Sequence, residues 1–315
     1  MVEKKILTYL RNNQSVAPFL TTYAGAPAVF LQEAPMDTDK GWQGSQYGRL
    51  VFGVDYTEDA ERAITASLWV DVYSRTDGPD PEEVAPVVQA ELNNRFFADG
   101  EEVIALAWNA TNGFQETRGD KLVNGVTLTF TILYFPSQLT TSPDPVKAIN
   151  RWTKERLPNS LVIGLDKLPD SWSPSENPTI YWRITGIKPG TMYPDTFHCT
   201  WHDVDLSGHF MIDNTNTRLT VCKALIDELT ASGSVVMTDD SPMFVMRIAY
   251  TASADAIRTG QLIITASYGV LRTYRGGVVM NYAGIDEDKK KAPVYDCAVL
   301  GKAILWKMKL GKGEE

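Results

Sequence analysis

The stretch AITASLWVDVYSRTDGPDPEEVAPVVQAEL, residues 63–92, sets the terms for the fold. Residues 63–74 alternate apolar and polar side chains, the period of a half-buried strand. Asp80-Pro81-Glu82-Glu83 then supply a capping carboxylate, a proline suited to the first helical position and acids that favour a helix N-terminus. The helix they open carries Val84, Val88 and Leu92 on one stripe, and Pro86 either kinks it or moves its true start forward. A half-buried strand running into a one-sided helix predicts helices packed on one face of a sheet.

Working outward, the same order of elements occurs twice. FHCTWHDVDLSGHFMI (197–212) reads as a second strand region, followed from about Thr217 by a helix with Leu219, Cys222, Leu225, Ile226 and Leu229 on its stripe. At an offset of 137 residues, Val84, Val88, Glu91 and Leu92 fall on Val221, Leu225, Glu228 and Leu229. Upstream, a helix at Lys4–Asn13 (Ile6, Leu7, Leu10) matches one at Pro145–Leu157 (Val146, Ile149, Trp152). The strands PAVFLQEAP (27–35) and YGRLVFGVDY (47–56) match NSLVIGLDKLP (159–169) and PTIYWRITGI (178–187). Downstream, EVIALAWNAT (102–111) with GVTLTFTILYF (125–135) matches MFVMRIAYTA (243–252) with GQLIITASYGVL (260–271).

These matches predict an α+β chain of two tandem domains, each an antiparallel sheet with helices on one face. The domains are placed at residues 1–136 and 145–274, joined by a polar, proline-containing linker at 137–144. Residues 275–315 form a C-terminal extension, a β hairpin or arm, ending in the amphipathic run Ile304, Trp306, Met308 and Leu310. An amphipathic strand that arrives after a domain is complete must bury its apolar face on its own sheet or on a neighbour. The candidate assembly interface is therefore Tyr295, Val299, Ile304, Trp306, Met308 and Leu310.

Composition excludes several classes. The chain of 315 residues, 43% hydrophobic and 22% charged, is long enough to bury real cores without staples. Its net charge of −9 argues against a broad grip on nucleic acid, and the basic run Lys289–Lys291 directly follows Asp286, Glu287 and Asp288. The opening MVEKKILTYLRNN has charges where a signal peptide needs an apolar core, and no run approaches about 18 apolar residues. The expectation is a protein made in the cytoplasm, with no membrane partner. Cys199, Cys222 and Cys297 suit free buried thiols better than disulfides or a zinc site.

Chemistry-bearing patterns are few. His198, Cys199, His202 and Asp203 invite a metal reading, but residues four apart in a strand are roughly 13 Å apart, too far to share a tetrahedral ion. Asp37 and Asp39 resemble the opening of a calcium loop without its glycine or later glutamate. No nucleophile elbow, phosphate loop, dinucleotide fingerprint or C-x-x-C occurs. The expectation is no enzyme, no cofactor and no metal. The eight tryptophans leave a carbohydrate- or ligand-binding module as the reading from a different class.

The segments ILTYL, SVAPFL, PAVFLQEAP and YGRLVFGV, then LWVDVYS running into EEVAPVVQAEL, and finally TLTFTILYF, together carry a resemblance over residues 4–135. In that order they resemble the tail terminator, or tail completion, proteins of tailed bacteriophages and the related phage minor capsid family. The resemblance implies helices on an antiparallel sheet and a non-enzymatic virion protein, assembled in the host cytoplasm into a ring. Such a ring caps the tail tube and joins it to the head connector. Implied partners are the chain itself (three or six copies), the tail tube protein, the tail sheath and the head connector protein. Another neck, collar or baseplate component is the alternative within that class. The chain departs from the family in carrying two such units and a C-terminal extension.

Overall fold

A computed structural model describes residues 2–44, 46–56, 64–74, 80–100, 102–118, 121–136, 138, 142–191, 199–271, 294–296 and 307–309. The first half of the chain forms α1 (Val2–Asn12), β1 (Thr22–Tyr23), β2 (Ala26–Pro27), β3 (Val29–Leu31), β4 (Trp42–Gln43), β5 (Arg49–Tyr56) and β6 (Ile64–Tyr73). It continues through α2 (Pro81–Leu92), β7 (Phe96–Asp99), β8 (Glu102–Arg118) and β9 (Lys121–Phe135). The second half forms α3 (Pro145–Arg156), β10 (Leu161–Val162), β11 (Ser171–Trp172), β12 (Thr179–Pro189), β13 (Cys199–Met211) and α4 (Thr215–Ser232). It closes with β14 (Ser234–Val236), β15 (Pro242–Tyr250) and β16 (Leu262–Leu271), and β17 (Val294–Asp296) then pairs with β18 (Lys307–Lys309).

The two main sheets repeat one topology. The first runs β11-β7-β8-β9-β6-β5-β3 and the second β14-β15-β16-β13-β12-β10. With β11 set aside, each strand of the first sheet has its counterpart at the same place in the second: β7 with β14, β8 with β15, β9 with β16, β6 with β13, β5 with β12 and β3 with β10. The helices correspond likewise, α1 with α3 and α2 with α4. The two sheets thus share one order of strands and helices. One detail differs from an all-antiparallel sheet: β3 runs parallel to β5.

In the first sheet Ala66, Leu68, Val70 and Val72 of β6 and Val126, Leu128, Phe130 and Ile132 of β9 turn one face toward the helices. There they meet Ile6 and Leu10 of α1 and Val84, Val88 and Leu92 of α2. The second core is built the same way, with Ile149 and Trp152 of α3 and Cys222, Leu225 and Leu229 of α4 over Trp182, Val204, Leu206, Leu262 and Ile264. Each fully buried aliphatic side chain contributes about 1.5–3 kcal/mol, so these stripes outweigh helix propensity in fixing the fold. That explains why α2 keeps Pro86 inside it and still begins at Pro81: the proline forgoes one helical hydrogen bond, and buried Val84, Ala85 and Val88 hold the turn around it.

Some expected strands are shorter. PAVFLQEAP yields only Ala26–Pro27 and Val29–Leu31, with Gln32 at φ 64°. NSLVIGLDKLP yields only Leu161–Val162, because Gly164 takes φ 86°, a left-handed conformation that ends extension. After that turn the chain leaves its own repeat. One compact unit comprises Met1–Ser137, Asp166–Thr179 and Met211–Asp213; the other comprises Gln138–Leu165, Ile180–Phe210 and Asn214–Glu315. The segment between β10 and β12 therefore belongs with the first sheet, whereas the sequence division assigned all of 145–274 to the second domain. Among the described residues no helix is long and apolar enough to cross a membrane.

Candidate assembly surfaces

The edge of the first sheet is closed by β11. Trp172 pairs with Phe96 and Ser171 with Phe97, and the Ala98 N–H donates to the Asp170 carbonyl at 3.2 Å. Trp172 is 1% exposed: its ring stacks on Phe96 at 5.3 Å between centroids, and its indole N–H donates to Thr179 Oγ1 at 2.8 Å. Phe96 in turn lies 5.6 Å from Phe135. Charged groups pin the same segment, Lys5 Nζ to Asp170 at 2.8 Å and Arg95 to Glu176 at 3.0 Å. A two-residue strand has little hydrogen bonding of its own, so the buried indole is the main anchor.

The other face of this sheet, near its opposite edge, is covered by the small sheet β2-β1-β4. Arg49 is fully buried there, with its guanidinium 4.8 Å from the Tyr73 ring and 5.8 Å from Trp42, paired with Asp37 at 3.3 Å. Trp42 also meets Tyr23 and Phe30 edge-on at 5.0 and 5.5 Å. A buried guanidinium needs this combination of aromatic faces and a carboxylate to offset its lost hydration.

The equivalent edge of the second sheet is finished differently. β14 pairs with β15 (Val235 opposite Met243), and among the described residues no strand pairs with its outer side. Val236 is 64% exposed, and Met246, Ile263 and Ile187 are also exposed on this unit. The sequence Ser234-Val235-Val236 carries no charge or proline, the usual devices that keep an open edge from pairing.

Beside α1 lies an open groove of about 730 Å³, lined by Lys4, Lys5, Tyr9, Phe97, Asp99 and Asp170 among others. Its polar centre is engaged in structure. Tyr9 Oη donates to Glu91 Oε2 at 2.8 Å, Asn13 Nδ2 donates to the same oxygen at 2.7 Å, and Arg95 lies 4.9 Å over the Tyr9 ring. Burial, with the Glu91 bond, pushes the Tyr9 hydroxyl pKa well up. Burial alone would raise Glu91, but the hydrogen bonds from Asn13 and Tyr9 and the charge of Arg95 hold it below its usual value. A phenol kept protonated against a kept carboxylate joins α1 to α2 and is not poised for proton transfer at neutral pH.

Of the six residues expected at an assembly interface, Tyr295 and Met308 stand opposite one another in the β17–β18 pair. Val299, Ile304, Trp306 and Leu310 lie outside the described residues. Cys199, His202 and Asp203 stand along β13, His198 lies outside the described residues, and no group of three or more His, Cys, Asp or Glu suited to a metal occurs among the described residues. Cys199 and Cys222 are buried, and burial pushes Cys222 up to about 12. Of the tryptophans, Trp152, Trp172, Trp182 and Trp201 are buried and Trp108 is exposed. Trp182 donates to Thr153 Oγ1 at 3.0 Å within the second core.

The open β14 edge and the capping role of Trp172 escaped the sequence reading. One signal was available: Trp42 stands seven residues ahead of Arg49, where β5 begins, and Trp172 seven ahead of Thr179, where β12 begins. No family model matches the chain, and no curated protein matches it.

Proposed function

We propose that this chain is a structural virion protein that closes the end of a phage tail tube and joins it to the head connector, acting as a ring of several copies. The observation that carries the reading is the uncharged edge at β14, with which no strand pairs on its outer side among the described residues, placed where the first unit has its edge covered. A protein that builds one sheet topology twice and, among the described residues, covers the end strand of only one copy is suited to association by strand addition. A ring needs heterologous contacts, and two unlike units in one chain present two unlike surfaces. Tyr9 and Cys222, whose pKa values burial raises, are engaged in packing, which suits a role in assembly. The acidic balance suits a ring that DNA passes without sticking.

Light scattering on the purified chain, with negative-stain images, tests the reading. Closed rings with a central hole, binding isolated tail tubes at one end, are the expected result. A monomer at every concentration that also ignores tail tubes would sink it.

A further inference from the structure

The assembly reading leaves open which surfaces meet, and the repeat itself names them. We infer that β4 of one chain adds to the open edge of β14 of a second copy, repeating between chains the join that β11 makes with β7. The inference rests on the assembly reading and specifies its contact.

The donor follows from position. β11 lies between β10 and β12, whose counterparts in the first unit are β3 and β5, and between those lies β4. Trp42 and Trp172 stand at the same distance ahead of the strand that follows. β4 ends the order β2-β1-β4, so one side is held by β1 and, among the described residues, no strand pairs with the other. Tyr23, Phe30 and the Arg49 guanidinium, itself paired with Asp37, pack on Trp42 and hold β4 beside β1, which lowers the entropy cost of docking, while Lys40 and Gly41 form the turn that leads into it.

The acceptor follows from register. Phe97 opposite Ile104 and Val235 opposite Met243 both face their cores, so Ala98 corresponds to Val236 and Phe96 to Ser234. In the first unit the outward Ala98 N–H donates to the Asp170 carbonyl; the Val236 N–H points the same way. Small Ser234 replaces Phe96, and the ring opposite it in register is Phe244, 6.3 Å from Trp201. An incoming Trp42 would find an aromatic floor there, as Trp172 finds Phe96. Asp170 corresponds to Lys40, which places Lys40 opposite Val236.

Because donor and acceptor are different surfaces, each chain uses both, and contacts propagate head to tail until a ring closes. The test is a cysteine pair at two exposed positions, Lys40→Cys and Val236→Cys, in a Cys297→Ser background. Oxidation of the double variant should give a ladder of disulfide-linked chains. Each single variant alone should give none, and an equal mixture of the two singles should stop at dimers. Val236→Pro, which removes the outward N–H at an edge that tolerates proline, should raise the concentration for half-assembly about tenfold. Rings that form normally with Val236→Pro and give no ladder would overturn this contact while leaving the ring reading standing. A wild-type chain that stays monomeric yet binds tail tubes would overturn the contact as well; one that does neither would overturn both.

Discussion

The two units share an order of strands and helices, yet they are finished by different means. The first has its β7 end covered by β11, and one face near its other end covered by the small sheet that buries Arg49. In the second, no strand among the described residues pairs with the outer side of β14, and Val236 is exposed. Duplication sets a topology, and the short segments between strands decide which edges remain available for other chains. Trp172 and Trp42 make the point in one residue type: the first is sealed under its own unit, and the second is half-exposed at the end of a three-stranded sheet.

The largest effect should come from that pair. Trp172→Ala removes a fully buried ring and should cost about 3–5 kcal/mol in denaturant unfolding, whereas Trp42→Ala should cost less than half as much. Equal costs would break the contrast between a sealed and an open segment. Next, Leu92→Ala and Leu229→Ala delete matching core positions on α2 and α4, both fully buried. Each should cost about 2–5 kcal/mol, and a large disparity would show that the two cores are not equivalent.

A pH dependence should separate the units. Burial drives His209 down to about 4, although its Nδ1–H donates to the Ala256 carbonyl at 2.8 Å. The unfolded imidazole takes its proton near pH 6.5, so between there and about pH 4 the unfolded state binds more protons. Stability is therefore full above about pH 6.5 and falls as pH drops toward 4. All three histidines lie at residues 198–209, so the loss should appear in the second unit and shrink in His209→Gln, as read by unfolding across pH.

The smallest contrast is at the caps of the matching helices. Asn214 accepts from the Thr217 N–H at 3.0 Å at the start of α4, while Asp80 makes no side-chain cap bond at the start of α2. Asn214→Ala should cost about 1 kcal/mol and Asp80→Ala only a few tenths, as thermal unfolding would resolve. A cost at Asp80 equal to that at Asn214 would mean that its charge near the helix N-terminus matters as much as a formed bond.

Much of the architecture was legible because its signals are local and long. β6, β8, β9, β13 and β16 each span ten or more residues, and α1, α2 and α3 show their apolar stripes and the prolines that open two of them. β7 and β14 were missed because three or four residues such as Phe96–Asp99 and Ser234–Val236 hold no readable period. The candidate surface was less legible still. The C-terminal run drew attention by its amphipathicity, whereas β14 became a candidate only when its neighbours in the sheet were known. Exposure at Val236 is a property of what fails to cover it, which no residue type announces.

The sequence by itself determined the repeated unit: apolar periodicity and capping chemistry act within a strand or a helical turn, so they survive without any knowledge of the rest of the chain. It also determined the absence of recognisable catalytic motifs and the acidic balance. Only the tertiary structure decided that residues 166–179 leave their own repeat to close the first sheet, and that no strand among the described residues does the same for the matching edge of the second. The reason is physical: edge pairing of a two-residue strand depends on which backbone groups and which aromatic floor lie across from it. Those are set by contacts between residues as far apart in sequence as Phe96 and Trp172.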